Sequence, residues 1–157
     1  MMRTVIIRRA SLVVALTLGA LVVSGCAFIF EGNDRTMNPS AEETHEQEIA
    51  AAIEAINDTI ISARAEQVRS GLGTNLYVTF HVSTEAVTAA ELEAVLTTVA
   101  PRIPEGMGVV RITARDEGVE LIPLNDAAQQ LGLPELSIKS EGTVVMNPDT
   151  LAKLYAK

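Results

Sequence analysis

Apolar residues recur along this chain at two spacings, one typical of helices and the other typical of strands. Helical spacing relates Ile49, Ala52, Ile53 and Ile56, and it also relates Leu92, Val95, Leu96 and Val99. The first set predicts a helix over about residues 41–57, with Ser40 and Glu43 as a capping box at its start. The second set predicts a helix that begins at another capping box, formed by Thr88 and Glu91.

Apolar and polar residues alternate one by one in three other segments, which predicts strands. These segments are residues 61–66, 76–82 and 110–115. The connection between the first two, residues 69–74, contains two glycines, as a longer hairpin turn would. Residues 119–124 predict a short fourth strand.

The last third of the chain predicts shorter elements. Asn125 is placed to cap a short helix that ends before Gly132. Residues 136–138 and 143–146 are apolar segments of the length of edge strands. Asn147-Pro148 suits the start of a last helix, because asparagine is a good cap and proline fits the first helical position.

The order helix, hairpin, helix, strand predicts an α+β fold with a single core. The second helix must cross from the hairpin to the third strand, most simply as a right-handed connection. We therefore expect a small open-faced sheet with two helices packed on one face, followed by short C-terminal helices. This order resembles the architecture of the BON domain, a small envelope module.

The N-terminal segment has the charge pattern of an export signal. An uncharged apolar stretch, residues 12–23, follows three arginines: Arg3, Arg8 and Arg9. The tetrapeptide Val23-Ser24-Gly25-Cys26 resembles the lipobox of bacterial lipoproteins. That resemblance implies removal of residues 1–25 as a signal peptide and attachment of diacylglycerol to Cys26, giving acyl chains such as palmitate. The protein would then be lipid-anchored in the cell membrane and face outside the cytoplasm.

An alternative interpretation treats the uncharged residues 10–30 as an uncleaved helix, which at about 1.5 Å per residue is long enough to span a bilayer. Both interpretations place residues 31–157 outside the cytoplasm. Residues 26–40 comprise the lipidated N-terminus and a predicted flexible linker rich in Asn, Asp, Gly, Pro and Ser. Residues 41–157 are then a single α+β domain.

A wider set of segments resembles small lipoproteins of high-GC Gram-positive bacteria. Besides the lipobox, the segments are SGLGTNLYVTFHV at residues 70–82, TAAELEAVL at 88–96 and LNDAAQQLGLP at 124–134. The resemblance implies a location in the cell envelope. It assigns no catalytic or binding residue.

The charge balance excludes some classes of partner. The chain has 12 basic and 20 acidic side chains, and loss of the three signal-peptide arginines leaves nine basic ones, a net charge of −11. Nucleic acid and anionic lipid both repel such a protein. With its one cysteine acylated the chain forms no disulfide, and the absence of tryptophan argues against a base-stacking site.

One predicted sheet face gathers the residues best suited to binding. The prediction assumes that four apolar side chains face the helices: Ile61, Val78, Phe80 and Ile112. Alternation then places a second set on the opposite face, namely Arg64, Tyr77, Thr79, His81, Arg111, Thr113 and Arg115. Arginine donates paired hydrogen bonds to phosphate or carboxylate groups, and histidine adds charge at mildly acidic pH. We therefore predict that an anionic ligand binds the aromatic and basic members of this set: Arg64, Tyr77, His81, Arg111 and Arg115.

Two alternatives remain open for this face. It can be a polar, solvent-exposed surface on which Arg64 or Arg111 pairs with Glu66 across strands at little net gain. The C-terminal segment can instead cover it, because that segment has apolar side chains to bury: Leu136, Ile138, Val144 and Val145.

Other motifs indicate little chemistry. Gly71 and Gly73 lead into a strand, whereas a phosphate-binding loop leads into a helix. His45 lies among acidic residues that suit a solvated first helical turn. No catalytic residue, metal or cofactor is predicted.

We therefore expect a non-enzymatic accessory or binding module of the cell envelope. Its predicted partners are the membrane, through the lipid on Cys26, and another envelope protein or an anionic envelope polymer, but no nucleic acid. The alternative function is a small hydrolase or transferase that acts at the cell wall.

Overall fold

The computed structural model describes residues 41–156, apart from the side chain of Glu42. The predicted signal peptide (residues 1–25), the lipidation site Cys26 and the predicted linker up to Ser40 lie outside the described residues. Among the helices of residues 41–156, none combines the length and the apolar character needed to cross a bilayer.

The described residues form four α-helices and five strands, in the predicted order except that residues 136–138 form no strand. The elements are α1 (Ala41–Glu54), β1 (Ile60–Ser70), β2 (Gly73–Val82), α2 (Ala89–Val99), β3 (Met107–Arg115), β4 (Leu121–Ile122), α3 (Asn125–Gln130), β5 (Val144–Met146) and α4 (Pro148–Tyr155). Two single 3₁₀ turns lie at Ala100–Arg102 and Glu135–Ser137. The α+β fold class is thereby confirmed.

The five strands form one mixed sheet. β1 pairs antiparallel with β2, and β2 pairs parallel with β3, which α2 makes possible by crossing between them. The far side of β3 is shared by two short antiparallel strands: β5 pairs with Val110 to Ile112, and β4 pairs with Ala114 and Arg115. The sheet therefore ends in β1 on one side and in β4 and β5 on the other.

The core lies between one face of this sheet and the helices. α2 contacts α1, α3 and α4, so all four helices lie on that same face. The sheet contributes alternate side chains of β2 and β3, and the helices contribute stripes: Ile49, Ile53, Leu76, Val78, Phe80, Leu92, Val95, Leu96, Val99 and Ile112 are each at most 1% exposed. Each such aliphatic or aromatic side chain contributes about 1.5–3 kcal/mol of transfer free energy when it leaves water.

The start of α2 has the predicted capping box. The Thr88 hydroxyl accepts from the Glu91 backbone N–H at 3.2 Å, and the Glu91 carboxylate accepts from the Thr88 backbone N–H at 2.9 Å. The Thr59 hydroxyl also donates to the Glu91 carboxylate at 2.6 Å. Burial raises the pKa of Glu91, but the hydrogen bonds from Thr59 and Thr88 together hold it below its ordinary value.

The inward position assumed for Ile61 is wrong. Ile60 is buried and Ile61 is 50% exposed, because the pairing register shifts between Ile60 and Ser62 and so inserts an extra residue into β1. The alternation resumes beyond this bulge, where Ala65 faces the core and Arg64 faces away. One bulge therefore moves the core position by one residue and leaves the rest of β1 as predicted.

The β1–β2 connection is shorter than predicted. Ser70 pairs with Gly73, so the turn consists of Gly71 and Leu72 alone. Gly71 has φ +62°, and a type II′ turn requires a positive φ at its first central position. α1 also stops earlier than predicted, at Glu54, and the Asn57 side chain accepts from the backbone N–H groups of Thr59 and Ile60.

Two predictions in the last third of the chain are also wrong. Asn125 is the first residue of α3, and Leu124 precedes the helix without a side-chain cap. Residues 136–138 form no strand, since only Ile138 makes a bridge to Val144. Two other predictions for this region are confirmed. Gly132, just past the C-terminus of α3, adopts φ +67°. The Asn147 side chain caps the N-terminus of α4.

Candidate binding face

The sheet face turned away from the helices carries the residues that the sequence singled out. We call it the open face and define it by Arg64, Glu66, Tyr77, Thr79, His81, Arg111, Thr113 and Arg115. Register across β1, β2 and β3 places these residues in three rows: Glu66, Tyr77 and Arg111; Arg64, Thr79 and Thr113; and His81 beside Arg115. All five predicted ligand-binding residues therefore share one face.

The C-terminal segment extends the sheet instead of covering this face. Val144 pairs at the edge of β3 and is fully buried on the core side, whereas Leu136 is 88% exposed. Among residues 41–156, the helices and both C-terminal edge strands thus leave the open face uncovered.

Arg64 and Glu66 form an ion pair along β1, not across strands. The Arg64 guanidinium contacts the Glu66 carboxylate, and both side chains are substantially exposed, at 76% and 45%. An exposed pair of this kind contributes about 0–1 kcal/mol. A partner that offers its own carboxylate or phosphate can therefore exchange with Glu66 at little cost.

Arg111 lies over the Tyr77 ring, with its guanidinium carbon 5.4 Å from the ring centroid. This distance is within the range of a cation–π contact, which restrains the guanidinium beside the Tyr77 ring. Its charge partner is Glu141, whose Oε1 lies 3.8 Å from Arg111 Nη1. The Glu141 backbone N–H, the Thr143 hydroxyl and the Arg111 charge hold the pKa of Glu141 below its ordinary value, so this carboxylate is ionised at neutral pH.

His81 and Arg115 both contact the turn between β3 and β4. His81 Nδ1 lies 3.1 Å from the carbonyl oxygen of Asp116, and since a carbonyl only accepts, Nδ1 carries the hydrogen. Arg115 Nη1 donates to the carbonyl oxygen of Val119. Two of the five predicted ligand-binding residues therefore also hold this turn in place.

The turn that they hold contains an unusual backbone conformation. Val119 has φ +64° and is the only non-glycine residue with positive φ in residues 41–156. A β-branched side chain is strained in this region, at a cost of about 1–3 kcal/mol. The Asp116 carboxylate accepts from the Glu120 backbone N–H at 2.8 Å and closes the turn around it.

Thr79 and Thr113 lie side by side at the centre of the open face and are half-buried. Their hydroxyl groups can donate or accept, so the surface between the arginines can form hydrogen bonds with either kind of group on a partner. The open face carries three arginines, and the carboxylates of Glu66 and Glu141 pair with two of them. Charges of both signs are therefore interspersed across the surface. Such a surface suits a partner with discrete anionic groups better than a long uniform polyanion.

The outer edge of β1 is occupied by α1, which the sequence did not reveal. The Glu54 carboxylate accepts from the Ala63 backbone N–H at 2.8 Å, and the Glu46 carboxylate accepts from the Gln67 backbone N–H at 2.6 Å. Eight helical residues span about 12 Å and four strand residues about 13 Å, so the two spacings match. Strand addition at this edge is thereby hindered.

The remaining polar residues of interest contact their own chain. His45 Nε2 donates to the Arg102 carbonyl oxygen at 2.6 Å, and Nδ1 lies 4.0 Å from Glu48, so this histidine joins α1 to the first 3₁₀ turn. Within residues 41–156, no three His, Cys, Asp or Glu side chains are grouped so that they could hold a metal ion.

Neither protein-family models, nor curated proteins, nor solved structures give a match to this chain.

Proposed function

We propose that the protein is a membrane-tethered, extracytoplasmic binding module of the cell envelope, and that its open face is the binding surface. The likeness of Val23-Ser24-Gly25-Cys26 to a lipobox supports the tether. A solvated sheet face is ordinary by itself. What supports the binding role is the group of basic and aromatic side chains that strand register brings together on this face.

The observation that best supports the proposal is the set of contacts made by the Arg111 guanidinium. The cation–π contact with Tyr77 restrains the Arg111 guanidinium on the open face, while the Glu141 carboxylate approaches it only to 3.8 Å. An incoming carboxylate can make the paired, shorter hydrogen bonds that Glu141 does not make. The guanidinium is thus pre-positioned and incompletely satisfied.

The alternating charges favour a protein partner that presents separate carboxylates. A long anionic polymer would also meet Glu66, Glu141 and the acidic turn at residues 116–120, and these repel it. Binding by an anionic envelope polymer is the competing outcome. Hydrolysis has less support, because within residues 41–156 His81 is hydrogen-bonded only to the Asp116 carbonyl oxygen, and no nucleophilic side chain pairs with its other ring nitrogen.

Site-specific photocrosslinking in intact cells tests the proposal. A photoreactive residue at Thr113 lies at the centre of the open face, and one at Thr97 lies on the exposed side of α2 as a matched control. We expect a discrete protein adduct at position 113 that is absent at position 97. Equal labelling at both positions, or none at 113, would overturn the open face as the binding surface.

The chemistry of the contact is tested by adding Arg64→Gln and Arg111→Gln to the Thr113 probe. Loss of two charge-assisted contacts should reduce the adduct at least tenfold. Each single arginine variant is also compared with Lys153→Gln, an exposed change on α4 that likewise removes one positive charge and should leave the yield unchanged. Adducts to carbohydrate or polymer instead of protein would assign the face to the competing ligand class.

A further inference from the structure

The end of the domain where the tether joins also carries the tip of the β1–β2 hairpin. α1 runs antiparallel to β1, as the Glu46–Gln67 and Glu54–Ala63 hydrogen bonds show. The first residue of α1, Ala41, accordingly lines one open pocket with His45, Gln67, Pro104, Glu105 and Met107. We call this the tether end.

Strand register places the hairpin tip at the tether end. Arg69 pairs with Thr74, and Thr74 pairs with Met107, which itself lines the pocket beside Ala41. The two-residue turn Gly71-Leu72 lies one residue pair beyond this row, after Ser70 and Gly73. The opposite end of β2, at Val82, is about 30 Å away along a strand of ten residues.

Leu72 is fully exposed at this tip and is the most exposed large apolar side chain of residues 41–156. Turn positions normally carry polar or small residues, because nothing there buries a side chain. Arg69 lies three residues before it, is exposed, and makes no ion pair within the described part of the chain. The tip therefore combines an apolar side chain with an uncompensated cation.

We propose that the hairpin tip is a second membrane contact, in which Leu72 enters the interfacial region of the bilayer while Arg69 meets lipid phosphates. This inference rests on the lipid tether of the proposed function. The fifteen residues from Cys26 to Ala41 span at most about 50 Å, so the tether holds the first residue of α1 within that distance of the bilayer. The strands would then stand away from the membrane and present the open face sideways to a partner.

One apolar side chain is sufficient because the tether makes the contact intramolecular. Transfer of a leucine side chain out of water shifts the ratio of docked to undocked domain by about 10- to 100-fold. Glu105 at the same end opposes an anionic surface, so the apolar contact dominates and docking persists at high salt.

Depth-dependent fluorescence quenching tests this contact in the full, lipidated chain reconstituted in phosphatidylcholine vesicles. A fluorophore on Ser70→Cys reports on the tip without changing Leu72, and a fluorophore on Thr84→Cys reports on the far end of β2. Both positions are exposed, and Cys26 is acylated in this proposal and so does not react. Vesicle flotation, measured on the same samples, reports the tether independently.

We expect lipid-borne quenchers to quench the fluorophore at position 70 several-fold more than that at position 84. Leu72→Ser should reduce the position-70 signal to the position-84 level while flotation is unchanged. A chain that floats but shows equal quenching at both positions would overturn the tip contact and leave the tether intact. A chain that does not float would overturn both.

Discussion

The two faces of this sheet come from the same alternation of residues, yet their side chains make different contacts. Those on the helix side are closely packed, and those on the open face form exposed polar contacts. On the helix side, Phe80 and Val78 are packed on every side and are at most 1% exposed. On the open face their neighbours Thr79 and Tyr77 are only partly buried, beside ion pairs that water screens. Stability therefore resides on one face, and the other is free to change its contacts, as a binding surface requires.

The largest predicted effect on stability comes from comparing substitutions at two adjacent residues of β2, one on each face of the sheet. Phe80→Ala should lower the free energy of unfolding by about 3–5 kcal/mol, because it leaves a cavity in the core. Thr79→Ala should cost under about 1 kcal/mol, since its side chain faces water. Denaturant titration of both variants measures the contrast, and similar losses would show that the open face is packed after all.

The start of α2 should give the next largest effect. Thr88→Ala removes the hydroxyl that accepts from the Glu91 backbone N–H and should cost about 1 kcal/mol. Thermal or denaturant unfolding measures this loss. Thr97→Ala makes the same substitution at an exposed position inside α2, where alanine is the better helix former, and is the matched control. Equal losses from the two variants would contradict the capping role of Thr88.

Glu91 should also make folding sensitive to acid. Because its pKa is lowered in the folded state, folding favours the ionised form; this contribution is present above the ordinary pKa of a glutamate and is lost as pH falls through the lower folded value. The relevant window therefore lies below about pH 4.5. Glu91→Gln should flatten the fall in unfolding free energy across that window, and an unchanged slope would contradict the assignment.

A substitution can relieve the backbone strain at Val119, in the turn between β3 and β4. Val119→Gly should raise the free energy of unfolding by about 1 kcal/mol, because glycine adopts φ +64° without steric cost but loses more chain entropy on folding. Gly118→Ala, at the neighbouring residue whose φ is not positive, is the control. A destabilised Val119→Gly protein would show that the valine side chain makes a contact that outweighs its strain.

How much of this molecule could be predicted depended on how local the signals are. The cap and the apolar stripe of α2 lie within twelve residues, and both were predicted correctly. The bulge at Ile61 depends on the register with β2, and either Ile60 or Ile61 satisfies a local pattern. Sequence alternation therefore predicted the faces but not the one-residue shift.

The contacts of the open face were harder to predict. Arg111 and Glu141 are thirty residues apart, and they meet only because β5 pairs with β3. The Glu46 and Glu54 contacts to β1 likewise require α1 to lie beside that strand. Two glutamates eight residues apart on one helix face are the only local signal, and solvated helices often carry such pairs.

We expect the smallest effect on stability from replacing the arginines of the open face, and this result most clearly separates the open face from the helix-covered face. Arg64→Gln and Arg111→Gln together should change the free energy of unfolding by less than about 1 kcal/mol, because their ion pairs are exposed. Denaturant titration against Lys153→Gln measures this. A loss of several kcal/mol would mean that these pairs are structural.

The central claim is that the open face binds through these two arginines, and the in-cell adduct at Thr113 tests it most directly. The account predicts a discrete protein adduct in the unaltered chain and at least a tenfold lower yield in the Arg64→Gln, Arg111→Gln variant, with folding preserved. An equal yield from the two chains would contradict it.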